Sequence, residues 1–212
     1  MKEIMCFGDS NTYGVNPNNE KRWGYEERWP MKLQKLLGCK NYHIIEEGYN
    51  GRTTCFEDPF DPLRDGKIGM KMALNSHHPL DMILIMLGTN DAKCHFATTA
   101  KGIVRGYELL MDMVKTIEYS NDFTMPQIVL ISPIHIGHDL TKCPFANFTE
   151  TSRTKILQLP KLLKELADNR DALFFDASLV AQPGIDQVHL DLQSGEALAI
   201  ALGDIITQYF KK

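Results

Sequence analysis

The chain has 212 residues, 43% of them apolar, and a formal charge of −4 from 23 Lys and Arg against 27 Asp and Glu. That length fits one domain, residues 1–212, with a sizeable core, and the acidic balance argues against a surface that grips a nucleic-acid backbone. The charged start Met1-Lys2-Glu3, the lack of any run of ~18 apolar residues, and five cysteines never spaced Cys-x-x-Cys argue against a signal peptide, a membrane span and a disulfide or zinc–cysteine framework. The expectation is a cytoplasmic protein with reduced thiols.

Five short apolar runs punctuate the chain: Glu3–Phe7, Tyr42–Glu46, Met82–Leu87, Gln127–Ser132 and Ala172–Asp176. They lack the alternation of a half-wet strand, so they read as strands buried on both faces of a parallel sheet. Helical spacing fills the gaps. Met31, Leu33, Leu36 and Leu37 mark a first helix, and Met70, Met72 and Leu74 a weaker second. Ile103, Tyr107, Leu110, Met111, Val114 and Ile117 mark a third. Ile156, Leu159, Leu162, Leu163 and Leu166 mark a fourth, which Pro160 should kink or start late. Leu198, Leu202, Ile205, Ile206 and Tyr209 mark the last. This alternation predicts an α/β fold, a parallel sheet with helices on both faces.

Such sheets bind ligands beyond the carboxyl ends of their strands. Gly8-Asp9-Ser10-Asn11 follows the first run, Glu47 to Thr54 the second, Gly88-Thr89-Asn90-Asp91 the third and Pro133-Ile134-His135 the fourth. Asp186-Gln187-Val188-His189 follows the fifth after a loop. Ser10 either caps a helical turn or serves as a nucleophile, which requires a base to take its proton. His189 would be that base, and Asp186, three residues earlier, can fold back onto one imidazole nitrogen and leave the other for Ser10. The Asn90 amide and the backbone N–H groups of Ser10 and Gly51 could surround a developing oxyanion; the plainer reading makes Asn90 and Gly51 turn residues.

These blocks resemble those of the SGNH (GDSL-type) hydrolase superfamily, from Gly8 to His189. The likeness is closest to the bacterial arylesterase and acyltransferase branch, through Cys6-Phe7-Gly8-Asp9-Ser10, Glu46-Glu47-Gly48, Arg52-Thr53-Thr54, Asp58-Pro59, Asp61-Pro62 and Met86 to Asp91. The resemblance implies a flavodoxin-like three-layer α/β/α sandwich with five parallel strands in the order 2-1-3-4-5. It implies hydrolysis of a small carboxylic ester, or transfer of its acyl group, without metal or cofactor. Ser10 is implied as nucleophile, His189 as base, Asp186 as its partner, and Ser10, Gly51 and Asn90 as oxyanion donors. Asn11 stands where the family name has Leu, and Val15 where some arylesterases carry a bulky aromatic.

Asp9, Asn11, Tyr13, Phe96 and Ile134 are the candidate substrate contacts. The long connection Asn16 to Pro30, rich in Arg, Trp and Tyr, is expected to form a pocket wall or a contact in a homo-oligomer, or else to pack beneath itself. The loops Phe56 to Gly66 and Lys142 to Phe148 are candidates for shaping an acyl pocket. Other readings of the same residues are a carbohydrate O-deacetylase of the superfamily and a flavodoxin-like binder of phosphate or flavin at Ser10, Asn11 and Thr12. Two more are a magnesium-assisted phosphatase using Asp9 and Asp91 and a zinc site at His135, His138 and Asp139.

Overall fold

The computed structural model describes residues 1–116 and 124–211. Its sheet is built from β1 (Lys2–Gly8), β2 (Tyr42–Gly48), β3 (Met82–Met86), β4 (Gln127–Ser132) and β5 (Leu173–Asp176). All neighbouring strands are parallel, in the order β2-β1-β3-β4-β5, as the family resemblance implied. The three central strands carry the continuous apolar runs because both their faces are covered; the edge strands β2 and β5 are mostly half-buried.

Among the described residues six α-helices alternate with these strands: α1 (Ser10–Tyr13), α2 (Trp29–Leu37), α3 (Gly66–His77), α4 (Ala100–Thr116), α5 (Glu150–Asn169) and α6 (Leu192–Phe210). Alternate residues of each strand feed two cores. Met5, Phe7, Ile83, Ile85, Ile128 and Leu130 meet α3, α4 and α5 on one face, while Ile4, Cys6, Leu84, Met86, Val129 and Ile131 meet α2 and α6 on the other. The three layers expected from the sequence are therefore present. No helix among the described residues is long and apolar enough to cross a membrane.

Three sequence expectations need adjustment. Pro160 does not delay its helix, which starts at Glu150 and runs through the proline. Thr149 caps it, accepting from the Ser152 N–H, and the buried stripe Ile156, Leu159, Leu163 and Leu166 outweighs the one lost backbone bond. Leu36 and Met72 face solvent, because α2 and α3 each present a narrower apolar stripe than their composition suggests. Ile117 lies outside the described residues.

The sheet's carboxyl end is held by a buried phenol. Tyr107, on α4, takes the Leu87 N–H at 2.8 Å and lies 2.8 and 3.0 Å from the carbonyls of Leu87 and Ile131. Burial pushes its pKa well above the ordinary value, so it stays a neutral donor and acceptor. Tyr107→Phe should cost about 1–3 kcal/mol of stability, because the Leu87 N–H loses its partner without access to water. Urea unfolding checks this, and an unchanged midpoint would show that the phenol ties nothing together.

Candidate active site

β1 ends in Gly8, where an added Cβ would fall 2.0 Å from Thr12 Oγ1 and 2.9 Å from the Met86 carbonyl. Glycine lets the chain turn directly into α1 between β2 and β3. Asp9 caps that turn by accepting from the Asn11 N–H at 2.9 Å, which leaves Ser10 as its first residue. The Ser10 N–H, in the first turn, has no preceding helical carbonyl to bond.

Ser10 Oγ lies 2.9 Å from His189 Nε2, and His189 Nδ1 lies 2.6 Å from Asp186 Oδ2. The other Asp186 oxygen accepts the N–H groups of Val188 at 3.0 Å and His189 at 2.9 Å, so the three-residue spacing folds back as the sequence suggested. Burial pushes the Asp186 carboxyl up, but the His189 ring and these N–H donors outweigh it and hold the pKa below the usual value. An ionised carboxylate only accepts, so Nδ1 carries the proton and a neutral imidazole leaves Nε2 to accept from the serine hydroxyl. Phe145 sets its ring edge-on to the imidazole, centroids 5.5 Å apart.

What joins the two ends of the chain is Asn11. Its Oδ1 accepts the Leu190 N–H at 2.8 Å and its Nδ2 donates to the Val188 carbonyl at 3.3 Å, gripping the backbone on either side of His189. The Asn11 amide is thus committed at both ends to a clamp, at a position where the sequence suggests a substrate contact.

Gly51 has φ +82, and a Cβ there would lie 2.6 Å from Arg64 Nε, so only glycine fits. Its N–H has no acceptor among the described residues. Asn90 Nδ2 donates to Asp9 Oδ2 at 3.3 Å and to the Arg52 carbonyl at 3.1 Å. Both contacts are long enough for an incoming anion to compete for a hydrogen.

Behind these groups lies a layer of buried charge that the sequence reading did not assign. The Arg52 guanidinium donates to the Gly8 carbonyl at 2.9 Å and to that of Glu47, and lies 4.2 Å from the centre of the Phe7 ring. Burial pushes its pKa down to about 10. Asp91 accepts the Thr54 N–H at 2.9 Å and the Thr54 hydroxyl. Burial pushes the carboxyls of Asp9 and Asp91 up to about 6, against the hydrogen bonds that favour their ionised forms. The Arg52-Thr53-Thr54 run was the available signal, but nothing in it says which strand ends the guanidinium would join.

A cleft of about 230 Å³ opens over Ser10 and His189. Val15, Phe145, Phe148 and Val188 give it apolar walls, while Asn50, Gly51, Arg64, Asn90 and Lys93 form a polar side. Four further candidates for substrate contact point elsewhere. Asp9 is buried behind the cleft. Tyr13 packs under the Arg22 guanidinium, Phe96 against Phe56 and His95, and Ile134 lies in the core beneath α2 and α6. The loops 56–66 and 142–148 do shape the cleft, through Arg64 and Phe145. In the 16–30 connection Trp29 is core and Arg28 pairs with Glu46 at 3.2 Å, whereas Tyr25 is exposed. Among the described residues no three His, Cys, Asp or Glu side chains converge so as to hold a metal ion.

The model of the GDSL-like lipase/acylhydrolase family matches residues 6–196, which include every residue of this arrangement. The chain belongs to that family. As a family member it resembles solved SGNH hydrolases over its whole length. Est24, a carbohydrate acetylesterase from Sinorhizobium meliloti, is 33% identical with a TM-score of 0.92, over 99% of this chain and 100% of the other. A carbohydrate acetylesterase family member from the same organism is 35% identical, TM-score 0.91, over 98% of each chain. The M. smegmatis aryl esterase is 31% identical, TM-score 0.91, over 98% and 99%. No curated protein sequence matches the chain.

The buried carboxyls make a prediction about pH. A carboxyl whose pKa is higher in the folded than in the unfolded chain holds its proton more tightly when folded. Its stabilising effect is complete below about 3.8 and is lost as pH rises through about 6. Asp9→Asn keeps a capping oxygen but removes this loss, so the variant should gain on the wild type by about 2–3 kcal/mol between about pH 4 and about pH 7.5. Urea midpoints at the two pH values measure it, and a constant difference would mean that Asp9 stays ionised throughout.

Proposed function

We propose that this GDSL-family protein is a serine esterase that acts on small carboxylic esters through an acyl-enzyme on Ser10. The observation that carries the reading is the continuous hydrogen-bond chain Ser10–His189–Asp186, opening on a cleft beside backbone N–H groups that have no acceptor among the described residues. In this mechanism Ser10 Oγ attacks the ester carbonyl carbon while His189 Nε2 takes the hydroxyl proton, and Asp186 stabilises the imidazolium that results. The Ser10 and Gly51 N–H groups and the Asn90 amide receive the oxyanion. As the tetrahedral species collapses, the ester C–O bond breaks and His189 returns the proton to the departing alkoxide. Water then attacks the acyl-enzyme by the same route, with His189 again as base, and frees the acid. An alcohol taking the place of water would give acyl transfer, which the apolar walls from Val15, Phe145 and Phe148 favour by thinning the water around the acyl group.

Within this reading an O-acetylated carbohydrate is a second substrate class. The similarity to two carbohydrate acetylesterases and the polar side of the cleft support it.

Turnover of p-nitrophenyl acetate beside a panel of acetylated sugars tests the proposal. Ser10→Ala should lower kcat on the nitrophenyl ester by about 10⁴-fold or more, and Asn90→Ala by about 10²–10³-fold. Equal rates in wild type and Ser10→Ala would remove the acyl-enzyme, and unchanged kcat in Asn90→Ala would remove its amide from the oxyanion site.

A further inference from the structure

The polar side of the cleft holds a cation that has no hydrogen-bond acceptor among the described residues. Lys93 lies three residues beyond Asn90, its N–H donating to the Asn90 carbonyl at 3.1 Å, and its side chain lines the same cleft as Ser10 and His189. The ammonium is half-buried, 5.6 Å from the centre of the Phe148 ring. It makes no hydrogen bond or ion pair with any described residue. Burial pushes its pKa below the ordinary lysine value, and Arg64 adds to that, although Asp58, Asp9 and Asp91 pull the other way.

None of the neighbouring carboxylates is free to serve it. Asp58 takes Arg64 Nη1 at 2.9 Å, and Asp61 lies 3.6 Å from Arg64 Nε. Asp9 holds Asn11 and Asn90, and Asp91 holds Thr54. Glu20, at the rim, is exposed and lies beyond ion-pair distance of Lys93. Arg64 thus has carboxylates in direct contact, while Lys93 has none among the described residues. An ammonium taken partly out of water loses hydration that only an acceptor inside the cleft can replace. The apolar faces of Phe145 and Phe148 lower the local dielectric and strengthen any such contact.

We propose that the cleft selects esters bearing a carboxylate, which accepts from the Lys93 ammonium while the ester carbonyl lies against Ser10. The inference rests on the esterase reading above and names its substrate class. A carboxylate suits the site better than a neutral hydroxyl because it matches the charge as well as the donors. With so many aspartates nearby, the recognition is a short-range contact and not long-range steering. The carboxylate can belong to the acyl half, as in a half-ester of a dicarboxylic acid, or to the alcohol half.

Two matched pairs of esters separate these cases. The acyl side is read by 4-nitrophenyl hydrogen succinate against the neutral isostere 4-nitrophenyl 4-methylpentanoate, and the alcohol side by 4-acetoxybenzoate against 4-acetoxybenzamide. In at least one pair the wild type should favour the anion in kcat/KM. Lys93→Met should lower that anion-to-neutral ratio by about tenfold, while Lys93→Arg retains most of it. Lys93→Gln gives a second neutral variant should the methionine disturb folding. The wild-type ratios stand by themselves, so a wild type that favours the neutral member of both pairs overturns the inference, as do ratios unmoved by loss of the charge. Ser10→Ala on the neutral esters separates the two levels of the argument: if it abolishes turnover while the ratios stay put, only the carboxylate selection fails, and if turnover survives, the esterase reading fails with it.

Discussion

One side chain makes the rest possible. Ser10 belongs to the first βα turn and His189 to the approach to the last helix, and no regular hydrogen-bond ladder joins those two segments. The Asn11 amide does so, bonding to the backbone just before and just after the imidazole. A base must lie within hydrogen-bond reach of its proton, and a displacement of about 1 Å costs about a hundredfold in rate. With Asn11 in place, β1 and its turn become a fixed datum: Gly51 beyond β2 and Asn90 beyond β3 approach Ser10 from either side because β1 lies between those strands.

This arrangement carries an electrostatic cost. Asp9 is both the cap that orients α1 and an acceptor for Asn90, yet it is buried with Asp91 and Arg52 close by. The carboxyls therefore keep their protons to a higher pH than ordinary aspartates, and the guanidinium is held by carbonyls at the ends of β1 and β2. Such a layer is stiff, since every polar atom moved out of register becomes an unpaired buried group. That stiffness fits a site whose N–H donors must be aimed before any negative charge develops.

The sequence showed the strands and the four motif blocks because both rest on local rules. Apolar runs without alternation are what centrally buried parallel strands require, and Asp186 to His189 is a turn whose geometry its own spacing allows. Strand order came only through the family resemblance, because register between distant segments leaves no local trace. Residue type near a motif proved a poor guide to direction. Tyr13, Phe96 and Ile134 have the bulk of pocket residues, yet Arg22, Phe56 and the core beneath α2 claim them. Lys93 and Phe145 reach the cleft from separate loops, a proximity set wholly by tertiary packing. Asn11 was in view from the start, but an amide beside a serine reads equally well as ligand contact or structural clamp until its partners are known.

The claim that a backbone clamp creates the reactive pair can be measured by phosphonylation. A fluorophosphonate should add one group to Ser10 of the wild type, located by peptide mass spectrometry. In Asn11→Ala, with circular dichroism and melting confirming a folded chain, the same modification should proceed about a hundredfold more slowly. Equal rates in the two folded proteins would contradict the account, because the imidazole would then find the hydroxyl without the amide that grips its loop.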